Sequence, residues 1–192
     1  FDRKLHGCAW GEVTIEQQGK VCRFTGDSDG ACCGTALLDA VIARGIGEMR
    51  LWLLCTEKGG NVFVGACWPR ANLKDLLGRQ EKSAALGSRG YLYPAGQTDY
   101  QWGGVAFRAG VALLLAVNTD AADLELVVSK RDGGEVLARL KVEEGWHLAV
   151  GCSHSATFEI ESYSVVTAAV RALAPVPAVP HSPRRQEAEQ QQ

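Results

Sequence analysis

The run from Leu51 to Pro69, LWLLCTEKGGNVFVGACWP, leaves this chain few folds to choose from. Two apolar stretches of strand length flank Thr56-Glu57-Lys58-Gly59-Gly60, a polar and glycine-rich turn, so the run reads as a β-hairpin. Alternation puts Trp52 and Leu54 on one face of the first stretch and Leu51, Leu53 and Cys55 on the other; Val62, Phe63 and Val64 repeat this two-sided apolar character. A strand that is apolar on both faces has to be covered on both. The expectation is a two-layer β-sandwich with this hairpin at its centre.

The rest of the chain supplies the other strands. Glu12 to Glu16 alternates polar with apolar residues, Gln17-Gln18-Gly19 turns the chain, and Lys20 to Phe24 returns with Cys22 and Phe24 on one face, as in a half-exposed edge hairpin. Gly26 to Gly30 is a loop, because Asp, Ser and Gly stabilise turns through side chain to backbone bonds and positive φ. Leu73, Leu76 and Leu77, with Gly78 behind them, fit two turns of helix over 71–77. Tyr91-Leu92-Tyr93 is a short strand, and Ala95 to Gly104 reads as a loop carrying Tyr100 and Trp102. Strands follow from Val111, Leu124, Glu135, Trp146 and Ala156, with turns at Thr119 to Asp123, Lys130 to Gly134 and Glu143 to Gly145. About ten strands at this spacing make an all-β, antiparallel sandwich. Its core is expected to hold Trp52, Leu54, Val64, Leu114, Leu126 and Phe158. Trp52→Ala is then expected to cost about 3–5 kcal/mol.

Beyond Val166 the composition changes. Ala168 to Pro183 carries four of the six prolines, and Arg184 to Gln192 is Arg, Gln and Glu without an apolar anchor. Residues 1–165 are read as the sandwich domain and 166–192 as an extended tail that orders where a partner holds it. The net charge of -2 lacks the basic footprint of a nucleic-acid binder. The longest apolar run, Val111 to Val117, is far short of the ~20 residues of a membrane-spanning helix. Seven cysteines, an odd number and mostly within strand runs, point to unbridged thiols in a reducing, intracellular compartment such as the cytoplasm. The chain begins at Phe1 without a signal-peptide pattern, which reads as a processed product or a piece of a longer chain.

Phe1-Asp2-Arg3-Lys4-Leu5, the Trp52 strand, Asn61-Val62-Phe63-Val64-Gly65-Ala66, Gly87-Ser88-Arg89-Gly90-Tyr91 and the strand series from Val111 to Tyr163 resemble, in that order, the landmarks of a SPRY domain. The likeness spans nearly the whole chain up to Tyr163. It implies a bent, concanavalin-like jelly-roll sandwich that binds partner proteins through loops at one end and has no catalytic activity. Two positions depart from the family's pattern: Trp52-Leu53 stands where a tryptophan is usually followed by an acid, and Trp146-His147 where a tyrosine-proline pair is common.

Chemistry-bearing patterns are weak. Gly151-Cys152-Ser153-His154-Ser155 has the outline of a nucleophile elbow but lacks its final glycine, and a strand follows where a helix should. Cys32 and Cys33 point to opposite faces of an extended chain, so they cannot ligate one metal, and no Cys-x-x-Cys exists. Glu143-Glu144 and the Glu159, Glu161 pair fall on a turn and an outward strand face, as solvated carboxylates do. The glycine pairs serve turns and precede no helix that would cradle a phosphate. No cofactor or metal is expected.

The loops give a better lead. Arg70, Tyr93, Asp99, Tyr100 and Trp102 combine an arginine, an acid and three aromatics near one end of the proposed sandwich, the composition of a binding hot spot. Whether Tyr100 and Trp102 face solvent or fold back on the sandwich, the sequence leaves open. The leading expectation is a non-catalytic protein-protein interaction module within a larger intracellular assembly, with the tail as a second contact. The alternative is a carbohydrate-binding lectin-like sandwich that stacks sugars on aromatics such as Trp102.

Overall fold

Both sheets of a sandwich draw on strands from the whole chain. The computed structural model describes residues 1–27, 29–58, 61–97, 99–108, 110–132 and 134–167, so the proposed tail lies almost wholly outside the described residues. In chain order the strands are β1 (His6–Trp10), β2 (Glu12–Glu16), β3 (Val21–Thr25), β4 (Cys33–Val41), β5 (Glu48–Lys58), β6 (Val62–Cys67) and β7 (Ser83–Gly87). They continue with β8 (Tyr91–Tyr93), β9 (Gln101–Trp102), β10 (Ala112–Asn118), β11 (Glu125–Lys130), β12 (Val136–Lys141), β13 (His147–Cys152) and β14 (Ser155–Val166). One sheet has the order β1-β4-β13-β6-β7-β8-β9 and the other β12-β11-β10-β5-β14-β3-β2. All described strand pairs are antiparallel.

The run from Leu51 to Pro69 is central, but it is not a hairpin. β5 pairs with β10 and β14 in one sheet, whereas β6 pairs with β13 and β7 in the other. Two strands that are apolar on both faces each need a neighbour on either side. Placing them in opposite sheets gives each a central position. Their inner faces meet: Leu51, Leu53 and Cys55 from β5 join Val62, Val64 and Ala66 from β6 in the core between the sheets.

The same alternation corrects half of the expected core. Val64, Leu126 and Phe158 are fully buried, but Trp52, Leu54 and Leu114 are only half-buried on the outer face of their sheet. Trp52 lies directly opposite Leu114 there, a cross-strand pair that shields both. With both faces apolar, the sequence does not say which one turns inward; Leu51, Leu53, Leu113 and Leu115 do. Trp52→Ala is therefore expected to cost about 1–2 kcal/mol, from partial loss of apolar burial, in place of the larger penalty of a core truncation. Urea unfolding measures it. A register shift at Val128/Ser129 likewise re-aims β12, leaving Val136 exposed and bringing Leu137 into the core.

The expected helix over 71–77 is absent; these residues form turns. The Leu73 carbonyl accepts the Thr35 N–H at 2.9 Å, and the Asp75 carbonyl accepts the Thr35 hydroxyl at 2.8 Å, so sheet contacts hold oxygens that helical bonds would use. Freed from helical geometry, Leu76 and Leu77 cap a second apolar cluster with Leu37, Phe63, Cys67 and Tyr93 on the outer face of the β6 sheet. At the unusual Trp146-His147 step, the His147 Nδ1–H donates to the Leu38 carbonyl at 2.7 Å beside a register shift between β13 and β4.

Candidate binding surface

β8 and β9 form the open edge of the β6 sheet, with Ala85 opposite Tyr93 and Tyr91 opposite Trp102. Tyr91 and Tyr93 are two residues apart and share the outer face, while Leu92 between them packs on the inner core. The Tyr91 ring lies 4.6 Å from that of Tyr100 and 4.5 Å from that of Trp102, and Tyr100 meets Tyr93 at 6.0 Å. The outer members stay open to solvent, Trp102 at 70% exposure and Tyr100 at 50%, whereas Tyr93 is buried at 4%. A solvent-facing tryptophan and tyrosine thus stand on a floor of two further tyrosines.

The floor is fixed from beneath. Tyr93 meets Phe63 edge to face at 5.8 Å, and the Arg79 guanidinium lies close enough to act on its hydroxyl. Burial pushes the Tyr93 phenol above its ordinary range, with Arg79 opposing. Gly78, at φ +96°, presses on the same ring: a Cβ there would lie 2.5 Å from the Tyr93 Cβ. Gly78→Ala is expected to cost about 2 kcal/mol, since it adds both left-handed strain and a clash with a packed side chain. Thermal unfolding checks this. The loop leading to Tyr100 is held at both ends, by the Gly96 N–H on the Glu81 carbonyl at 3.0 Å and by Gln101 Nε2 donating to Gln97 Oε1 at 2.8 Å.

Of the five residues singled out from the sequence, the structure brings Tyr93, Tyr100 and Trp102 into ring contact. Asp99 is exposed directly before Tyr100. Arg70 lies instead in an adjoining groove with Trp68, Asn72, Asp75, Gln80 and Lys82. Residues 78–82 form the partition, with Gly78 and Arg79 against Tyr93 and Gln80 to Lys82 facing the groove. Lys82 Nζ sits 5.5 Å over the Trp68 ring, and Gln80 is 8% exposed with both amide atoms unpaired within the described chain.

Sequence reasoning missed Tyr91, Trp68, Arg79 and Gln80. Tyr91 was legible, because the Tyr-x-Tyr spacing of β8 puts it beside Tyr93. Gln80 and Arg79 carried no signal, since their positions depend on where the 71–82 turns settle. The serine of the elbow-like run serves the β13 to β14 turn: Ser153 Oγ accepts the Asn61 N–H at 3.1 Å.

The protein-family models and the curated proteins contain no match to this chain. Solved structures do match. A human SPRY domain aligns at TM-score 0.62 and 16% identity, covering 80% of this chain and 96% of that one. The SPRY domain of human HERC1 aligns at 0.61 and 17%, covering 83% and 96%. The TRIM65 PSpry domain aligns at 0.56 and 14%, covering 80% and 85%. With two seven-stranded antiparallel sheets in the order given above, the fold is that of a SPRY domain.

Proposed function

We propose that this chain is a non-catalytic protein-interaction module, a domain or subunit of a larger intracellular assembly, and that its partner docks on the β8 to β9 edge and the neighbouring groove. The observation that carries this reading is the exposure of Trp102 and Tyr100 on a rigid aromatic floor. An ordered aromatic pair offers contact area whose ordering entropy is already lost before binding, which is what a hot spot needs. Arg70 and Lys82 supply directed polar bonds beside it, and Asp99 an acid at the rim. The SPRY resemblance supports a binding rather than a catalytic role. No described helix is long and apolar enough to cross a membrane, and the net charge of -2 does not favour nucleic acid.

The full chain immobilised as bait, beside the double variant Tyr100→Ala, Trp102→Ala, tests the proposal. The expected result is a defined protein retained by the wild type and lost by the variant. Retention that depends only on residues 168–192 would move binding to the tail, and Trp102-dependent signal on a glycan array would replace the protein partner by a carbohydrate.

A further inference from the structure

Three cysteines that are scattered in the sequence converge at one place in the inner core. Cys8 on β1 and Cys152 on β13 both lie opposite Gly34 of β4, so the two thiols share a sheet face two strands apart. Gly34 has no side chain to fill the gap; a Cβ there would lie 2.4 Å from the Gly7 carbonyl oxygen. Cys32, just before β4 and anchored by its N–H on the Ser153 carbonyl, brings its sulfur against that of Cys8. Its Sγ is 3.1 Å from that of Cys8, and it lies close enough to Cys152 for the two thiols to influence each other's ionisation. Cys33, the next residue, packs in the outer cluster.

We propose that Cys8, Cys32 and Cys152 form a redox site, in which Cys32 is oxidised by hydrogen peroxide and closes a disulfide onto Cys8. The 3.1 Å separation has to shorten by about 1 Å to reach bonding distance, a side-chain adjustment. The three thiols are not equivalent. Hydrogen bonding from Cys152 outweighs burial, and with Cys8 adding to it the Cys32 thiol is pulled down to about 7, whereas burial and the bond to Cys32 push Cys8 up to about 12. The lowered thiol and the 3.1 Å approach to Cys8 together assign Cys32 as the nucleophile. It is only 1% exposed, while Cys8 is partly open, so the oxidant enters past Cys8 and has to be small.

The chemistry balances in two steps. The Cys32 thiolate attacks one peroxide oxygen, the O–O bond breaks, and hydroxide leaves to be protonated to water; Cys32 becomes a sulfenic acid. The Cys8 sulfur then attacks the Cys32 sulfur. The S–S bond forms, the S–O bond breaks, and hydroxide departs with the Cys8 proton as a second water. The two thiols lose two electrons in total, and one hydrogen peroxide is reduced to two waters. The product ties the edge strand β1 to the segment entering β4.

The full chain, treated with a few equivalents of hydrogen peroxide, denatured, alkylated and cut with trypsin, tests the proposal. Cys8, Cys32 and Cys152 fall in separate tryptic peptides, so a linkage is read directly in the wild type and does not depend on any variant folding. The expected product joins residues 5–20 to residues 24–44 with the loss of two hydrogens, fragmentation placing the link at Cys32 rather than Cys33. Cys33→Ser should retain it and Cys32→Ser should abolish it. Peroxide treatment that consumes thiols without this linkage, or that links Cys33 or Cys55 instead, would overturn the proposal.

Discussion

Phe158→Ala is expected to lower the unfolding free energy by about 3–5 kcal/mol. Phe158 sits on β14, which lies between β5 and β3, and it is fully buried with its ring edge to face on Phe24 at 5.9 Å. Truncation removes the transfer energy of a whole ring and leaves a cavity that two flanking strands, each hydrogen-bonded along its length, cannot collapse to fill. A domain of this size holds only about 5–15 kcal/mol in total, so the variant should unfold at much lower urea with an unchanged slope. A loss below ~1 kcal/mol would show that the sheets are not packed there as described. The contrast with Trp52→Ala is the sharper check. Tryptophan is the larger side chain, yet its outer-face position predicts the smaller loss.

That contrast also marks what could be read from the sequence and what could not. Strand existence was legible because periodicity and turn chemistry are local: the edge hairpin β2 and β3, the pair β11 and β12, and β14 lie where alternation puts them. Sheet membership was not legible for β5 and β6, because a short polar turn joins strands equally well within a sheet or across layers. Facing was legible wherever one face was polar, as at Phe24 and Phe158, and ambiguous where both were apolar, as at Trp52. The site follows the same division. Aromatics near Tyr93 were visible as a loop composition, but their exposure was not, the ring contacts of Trp102 come from its pairing with Tyr91 in β9, and Arg70 was separated from them by turns with no sequence signature. The cysteine cluster was beyond sequence reasoning altogether, since Cys8 and Cys152 share a face only because both strands flank β4.

Trp102→Ala is expected to weaken the proposed partner by about 2 kcal/mol, roughly thirtyfold in Kd, while leaving Tm nearly unchanged. The two effects separate because of where the ring stands. At 70% exposure Trp102 buries little surface in the free domain, so its removal costs the fold little, but a partner that covers it would desolvate most of the indole. Tyr93→Ala is the opposite case: the ring is 4% exposed, packs on Phe63 and fills the space beside Gly78, so stability should fall with affinity. Tyr91, half-buried and in contact with both Tyr100 and Trp102, should lie between, losing affinity chiefly because the exposed pair loses its support. Calorimetric titration beside thermal unfolding of the three variants measures both axes. Parallel loss of affinity and stability in Trp102→Ala would assign the indole to the fold. Unchanged affinity would remove the β8 to β9 edge from the interface and move binding to the groove at Arg70 and Lys82 or to the tail.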